Sequence, residues 1–353
     1  MKIKKVNFKN FMLFNNLDME FSPDINIISG ENSTGKTAML KVLYATTKSL
    51  YDLQKSKSDL VKDKYEQALV SKLNGVFKPD DDTIGRLVGR QQGSNRADIN
   101  ILFDNDKKIE YGFGNRQAKH LDINMENDLI SADFSPVFIP PKEIISSAGN
   151  FTSLYEDYHI GFDETYYDLA KLLLKPLKKG ANTKQQKTVL DSFDAIMNGN
   201  VVQKENKFYL KVKGSGEFEM GLVSEGYRKL STMTYLILSG SLDQNAMLFW
   251  DEPESNMNPK IIKHMAEALI ELSKMGVQIF INTHSYFVQQ CFNLIASYPK
   301  ANKGRINIKF ISLYRESKTN RLVAETAGSV NDLQNNPIME EFDSIYNREQ
   351  ELM

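Results

Sequence analysis

Apolar positions along this chain recur at two periods, and the places where the period changes mark out its elements. Residues 2–8 (KIKKVNF) and 18–21 (DMEF) read as short strands, and Ile25–Ser29 (INIIS) is a compact apolar strand running straight into a glycine-bearing loop. From Lys36 to about Gln54 the pattern is helical, with Met39, Leu40, Leu43 and Leu50 on one side. A second helical stretch, about Leu53–Leu73, is rich in Lys, Asp and Glu and ends at Gly75, before the turn cluster Pro79-Asp80-Asp81-Asp82. Segments 98–104 and 107–113 alternate around Asn105-Asp106, which signals a hairpin. Pro136–Ile139 reads as a buried strand closed by Pro140-Pro141.

Residues 163–198 read as two helices broken near Gly180, and 207–221 returns to a strand pattern. The remainder alternates: helix 225–241, strand 246–250, helix 259–274, strand 277–281, helix 285–297, strands 306–314 and 320–326. This predicts an α/β fold with a mainly parallel sheet assembled from both ends of the chain, an antiparallel β subdomain and a helical insertion. The expected division is 1–140, a mainly helical insertion 141–222, and 223–353. The insertion lacks a long heptad pattern, so no extended coiled-coil arm is expected.

Composition narrows this picture slightly. With 353 residues, 41% hydrophobic and 25% charged, the chain can bury a substantial core. No apolar run approaches the roughly 18 residues of a membrane span, and no apolar signal segment follows the basic start Met1–Lys5; a cytoplasmic protein is expected. A lone cysteine, Cys291, excludes an internal disulfide framework, and four scattered histidines argue against zinc. Forty-four basic residues against 45 acidic ones give no support for strong nonspecific DNA binding, although DNA can still be met by a local patch. Lys171, Lys175, Lys178, Lys179, Lys184 and Lys187 cluster, and read most simply as a solvated helical face.

The candidate chemistry begins at Gly30-Glu31-Asn32-Ser33-Thr34-Gly35-Lys36-Thr37, a G-x-x-x-x-G-K-[ST] loop between a strand and a helix. Phosphate oxygens need converging backbone N–H groups, hence glycines where the chain turns tightly, and a helix N-terminus behind them. Lys36 is expected to meet the β and γ phosphates of ATP and Thr37 to hold Mg²⁺. The apolar strand Ala246–Trp250 delivers Asp251 and Glu252 to the end of a sheet. Asp251 suits a water-mediated contact to Mg²⁺, and Glu252 is placed to polarise the attacking water. Val277–Ile281 leads into Asn282-Thr283-His284-Ser285, where His284 can hydrogen-bond a γ-phosphate.

The order of these motifs, with Ser224-Glu225-Gly226-Tyr227-Arg228 before Asp251-Glu252 and Glu254-Ser255-Asn256-Met257-Asn258-Pro259 after it, resembles an ABC-type ATPase. More narrowly it resembles the RecF/SMC/OLD branch, whose typical start is matched by Ile3 and by Phe8-Lys9-Asn10-Phe11 with Phe14. The form Asp-Glu-Pro-Glu-Ser-Asn-Met-Asn-Pro is similar to the AAA-15/AAA-21 type. The resemblance covers residues 1–45 and 220–326. It implies that Ser224 and Gly226 form a signature motif closing on the ATP of an opposite subunit, that 255–258 is the D-loop, that His284 is the switch histidine, and that Asn10 belongs to the nucleotide site. Without the family, Ser224-Glu225-Gly226 is a helix cap. Val223, Glu225 and Tyr227 depart from the usual Leu-Ser-Gly-Gly-Gln, and an acidic residue beside a phosphate is tolerated only if its side chain points away.

No glutamine stands where the Q-loop is expected; Pro140-Pro141-Lys142-Glu143 occupies that place, while Gln91 and Gln92 lie too early. The resemblance therefore implies a homodimeric, ATP-hydrolysing head. The stretch after His284 shows no glutamate-plus-Asp-x-Asp arrangement of a Toprim nuclease, so the output is expected in a separate effector, as with the stand-alone heads of anti-phage systems such as PARIS and Septu. The insertion and the acidic segment Asn331–Met353 are the expected docking surfaces. Two rival readings are a RecF-like DNA-repair or chromosome-maintenance ATPase and a transporter subunit; the missing Q-loop glutamine and the RecF-like start argue against the latter.

Overall fold

In the computed structural model, which describes all residues except 57–60, 91, 117–118, 127–128, 130–133, 159, 299 and 303–305, the elements follow the expected alternation. Strands β1 (Ile3–Phe11), β2 (Phe14–Glu20) and β3 (Ile25–Gly30) lead into helix α1 (Lys36–Lys55), then α2 (Lys62–Phe77). Strands β4 (Arg96–Phe103), β5 (Lys108–Gly114), β6 (Asp122–Met125) and β7 (Ser135–Ile139) follow. Next come α3 (Ala148–Tyr158), α4 (Glu164–Leu173), α5 (Lys184–Met197), β8 (Gly199–Lys204), β9 (Lys207–Val212) and β10 (Gly216–Glu219). The last part is α6 (Glu225–Leu238), β11 (Ala246–Asp251), α7 (Pro259–Lys274), β12 (Gln278–Asn282), α8 (Tyr286–Ser297), β13 (Ile308–Arg315), β14 (Leu322–Ala327) and α9 (Pro337–Leu352).

The central sheet has the order β14-β13-β3-β12-β11-β7, parallel except for the antiparallel edge strand β14. Its strands are apolar at nearly every position because both faces are covered. Leu248 and Trp250 face α6 and α7 with Ile279 and Ile281, while Met247 and Phe249 face the opposite core with α1 and Phe280. That second core is shared with an antiparallel sheet, β2-β1-β4-β5-β6. Alternation at period two thus feeds two cores from one sheet.

Several expectations need correction. The opening strand continues to Phe11 and pairs with a β2 that begins at Phe14. The rings of Phe8 and Phe14 lie 5.1 Å apart, so burial of aromatic residues extends both strands past the polar Asn15 and Asn16. The stretch expected as one helix, about Leu53–Leu73, is the end of α1 and the separate α2; residues 57–60 between them lie outside the described residues. Gln91 does as well. Region 141–222 also contains more β structure than expected: β8 begins at Gly199 and forms a three-stranded sheet with β9 and β10. Its helices span 11, 10 and 14 residues. Among the described residues, no helix is long and apolar enough to cross a membrane.

Candidate functional site

The carboxyl ends of β3, β12 and β11 stand side by side, which is where parallel α/β sheets receive ligands. Strand β3 ends on Gly30, whose φ of 147° favours glycine. A Cβ there would lie 2.2 Å from the Leu313 carbonyl oxygen, and one on Gly35 (φ 86°) would lie 2.7 Å from the Phe14 ring. The loop can take its path only without these side chains. Helix α1 then opens at Lys36 behind Gly35, with no side chain capping its first amides, so those N–H groups stay available to an anion.

Lys36 is buried, and its Nζ donates to the carbonyl oxygens of Gly30 (3.0 Å) and Glu31 (2.6 Å). Burial pushes its pKa down to about 8, against the upward pull of Asp251, Glu252, Glu254 and Glu31. A desolvated ammonium satisfied only by neutral loop oxygens fits a phosphate group well.

The Thr37 hydroxyl donates to Asp251 Oδ2 at 2.9 Å, and Asn282 Nδ2 donates to Asp251 Oδ1 and, at 3.3 Å, to Thr37 Oγ1. Asp251 is buried and its pKa is pushed up to about 6 by burial, opposed by the hydrogen bonds from Thr37 and Asn282. A buried carboxyl held by neutral partners beside a hydroxyl is a hard-oxygen pair suited to Mg²⁺. Among the described residues no three His, Cys, Asp or Glu side chains gather into a metal-holding group. A cation here would therefore draw its other ligands from phosphate and water. Sequence reasoning placed Asn282 only in a motif and missed this role; register reveals it, because β12 pairs with both β11 and β3, setting Asn282 opposite Asp251 and Ile28.

Glu252 leaves the sheet in a left-handed conformation (φ 48°), its N–H donating to the Asn282 carbonyl at 2.9 Å. Its Oε1 lies 3.7 Å from His284 Nε2, and its Oε2 accepts from the Ser255 hydroxyl at 3.3 Å. Burial and then Lys36 hold the His284 pKa down, opposed by Glu252, so the imidazole is neutral near pH 7. Glu254 fixes the histidine from behind: its Oε1 accepts from the His284 N–H (2.8 Å) and the Thr283 hydroxyl (2.6 Å). Burial raises the Glu254 pKa. Its place within a recognisable loop motif was legible; its grip on His284 was not.

Ser224 is exposed and occupies the N-cap of α6, as the helix-cap reading places it, but its side chain makes no cap hydrogen bond. Glu225 points to the following loop, accepting from Asn256 Nδ2 at 2.8 Å. Gly226 is buried, with Ile261 Cδ1 3.2 Å from where its Cβ would be. Lys229, also buried, donates from Nζ to the Ser255 carbonyl at 2.8 Å. Arg228 pairs with Glu143 at 2.5 Å, joining the Pro140–Glu143 turn to α6. Asn10 (φ 49°) sits near the end of β1, and Phe14, the first residue of β2, lies against Gly35 of the phosphate loop.

A phosphate loop and two carboxylates at the carboxyl edge of a mixed sheet, backed by a second antiparallel sheet, define a P-loop nucleotide-binding head. The chain belongs to the family described as "AAA domain, putative AbiEii toxin, Type IV TA system", whose model matches residues 25–288. It is similar to "DNA replication and repair protein RecF" of Staphylococcus haemolyticus, 22% identical over 286 residues, which are 75% of this chain and 69% of that one. The RecF of Clostridium botulinum strain Eklund 17B is 26% identical over 144 residues, 41% of this chain and 34% of that protein. The chain thus spans about a third of that relative's length. In fold it matches an SMC head bound to the C-terminal winged-helix domain of ScpA, with a TM-score of 0.55 at 13% identity, covering 94% of this chain and 98% of that one. An SMC head with an extended coiled coil, bound to the C-terminal domain of ScpA from Pyrococcus furiosus, matches with a TM-score of 0.50 at 12% identity, covering 98% and 99%.

Proposed function

We propose that this chain hydrolyses Mg-ATP as a nucleotide-sandwich homodimer and uses the cycle to control a separate effector protein, in anti-phage defence. The observation that carries the reading is the cluster Lys36–Thr37–Asp251–Asn282 at the sheet edge, with Glu252 and His284 3.7 Å apart beside it. Lys36 and the loop amides would bind the β and γ phosphates, while Thr37 and Asp251 would hold Mg²⁺. The ion, when bound, would offset phosphate charge. Glu252 would accept the proton of the attacking water, and neutral His284 would donate to the γ-phosphate. Exposed, uncapped Ser224 supports a contact made across to another subunit. The C-terminal helix α9, none of whose residues is buried, is the surface we assign to the effector.

A RecF-like repair role is the second reading, favoured by the RecF similarity over 75% of the chain. One variant tests both readings. Glu252→Gln should keep ATP binding and slow turnover by about 10²–10⁴-fold, the range for loss of a general base. Near-normal hydrolysis would remove Glu252 from this role. The same tagged variant, recovered from its native host, should bring a stoichiometric effector with it. Recovery alone, with hydrolysis by the wild-type chain strongly stimulated by DNA ends, would favour the repair reading.

A further inference from the structure

Helix α1 carries Lys36 at one end and a second group of lysines at the other, roughly 28 Å along the helix axis. At that far end, by the amino-terminal edges of β7 and β11, lies a cavity of about 670 Å³. Small-molecule sites commonly span about 300–1,000 Å³. Lys48, Lys55, Lys72, Lys171 and Lys175 all line it. Two of the five are neutralised. Lys48 holds Asp52 at 2.5 Å, and buried Lys72 holds Glu164 at 2.5 Å and Asp168 at 3.0 Å.

The other three, Lys55, Lys171 and Lys175, have no ion pair among the described residues and share the cavity with one remaining carboxylate, Asp243. Aromatic faces hold two of them: Lys55 Nζ stands 5.9 Å from the Tyr51 ring centre, and Lys171 Nζ 4.9 Å from that of Tyr167. Lys175 departs from the solvated face expected of the 171–187 lysines, being half-buried while Lys171, Lys178, Lys179, Lys184 and Lys187 are exposed. Burial, then Lys55 and Lys48, push its pKa down to about 8, against Asp52. Like charges gathered in a recess raise one another's energy unless an anion joins them.

We propose that this cavity is a second ligand site, separate from Gly30–Thr37, that takes a small phosphate-bearing polyanion on Lys55, Lys171 and Lys175. Inorganic polyphosphate and a nucleotide share this chemistry. A duplex is a poorer fit, because the three lysines line one recess rather than running along a surface.

Lysine-resolved acetylation of the full chain tests the site, read by mass spectrometry at mildly alkaline pH with inorganic tripolyphosphate, ADP or a short duplex DNA as probe. Tripolyphosphate or ADP should slow modification of Lys171 and Lys175 saturably, about tenfold at about ten times its dissociation constant. Whichever of the two protects at lower concentration identifies the source. The protection should survive Lys36→Ala, and protection of Lys175 should disappear in a Lys55→Gln/Lys171→Gln variant whose melting temperature is unchanged. If that variant does not fold, Lys171→Gln alone should raise the protecting concentration. Failure of both small anions at millimolar concentration would overturn the proposal. So would protection by DNA alone, or protection that vanishes with Lys36→Ala.

Discussion

Asp251 carries a structural cost at the site proposed to hold Mg²⁺. Its pKa of about 6 stands above the ordinary aspartate value of 3.8, so folding favours the neutral form. The folded state therefore binds more protons than the unfolded one between about pH 4 and 6, and stability falls as pH rises through that window. Above it the full penalty is present, at most about 3 kcal/mol for a shift of this size. Asp251→Asn should accordingly raise the melting temperature of the nucleotide-free protein at pH 8 and change it little at pH 4. Mg-ATP should stabilise the native protein and not the variant. Calorimetry at the two pH values decides the matter: equal effects at both would mean that the carboxylate is not under strain in the fold. The same site explains why Thr37 and Asn282 both donate toward Asp251, for these bonds retain part of the ionised form that a cation needs.

At the scale of elements, helix α6 does two jobs. Its N-cap residue Ser224 is exposed, and its buried Lys229 donates to the Ser255 carbonyl, so the loop after β11 is held from the helix that Ser224 opens. Burial pushes the Lys229 pKa down while Glu225, Glu254, Glu252 and Glu143 pull it up. Lys229→Met keeps the apolar stem and removes the donor. Leaving the carbonyl unsatisfied should cost about 1–3 kcal/mol. Hydrogen exchange should quicken selectively at Ser255–Asn258, and ATP turnover should fall. Uniformly faster exchange along the chain, without a focus there, would instead mark Lys229 as a general packing residue.

At the scale of the whole molecule, the proposed trans site makes a prediction that no single chain can satisfy. Lys36→Ala and Ser224→Arg subunits should each be inactive alone, and their mixture should regain part of the hydrolysis because each heterodimer rebuilds one intact site. Steady-state turnover of mixtures, together with native mass spectrometry of the heterodimer, gives the answer. Heterodimers without activity would leave only a one-subunit site or strict coupling between two sites. The fold leaves room for such pairing: Ser224 is exposed, and its side chain forms no cap bond that it would have to give up.

What the sequence determined by itself was whatever depends on short-range pattern. The loop Gly30–Thr37, the carboxylates after β11 and the alternation of strands and helices were legible because backbone conformation and apolar period are set within a few residues. Boundaries drifted where tertiary burial overrode local signal, as when Phe8, Phe11 and Phe14 lengthened the first hairpin and when β8 added a strand to an insertion read as mainly helical. Only the tertiary structure decided the roles of Asn282, Glu254 and Lys229, because each acts through a contact with a residue distant in sequence and fixed by sheet register or helix packing. The same reason separates Lys175 from its neighbours. Six lysines in one stretch look alike along the chain, and only tertiary packing brings Lys171 and Lys175 to a recess with Lys48 and Lys55 and leaves Lys175 half-buried there.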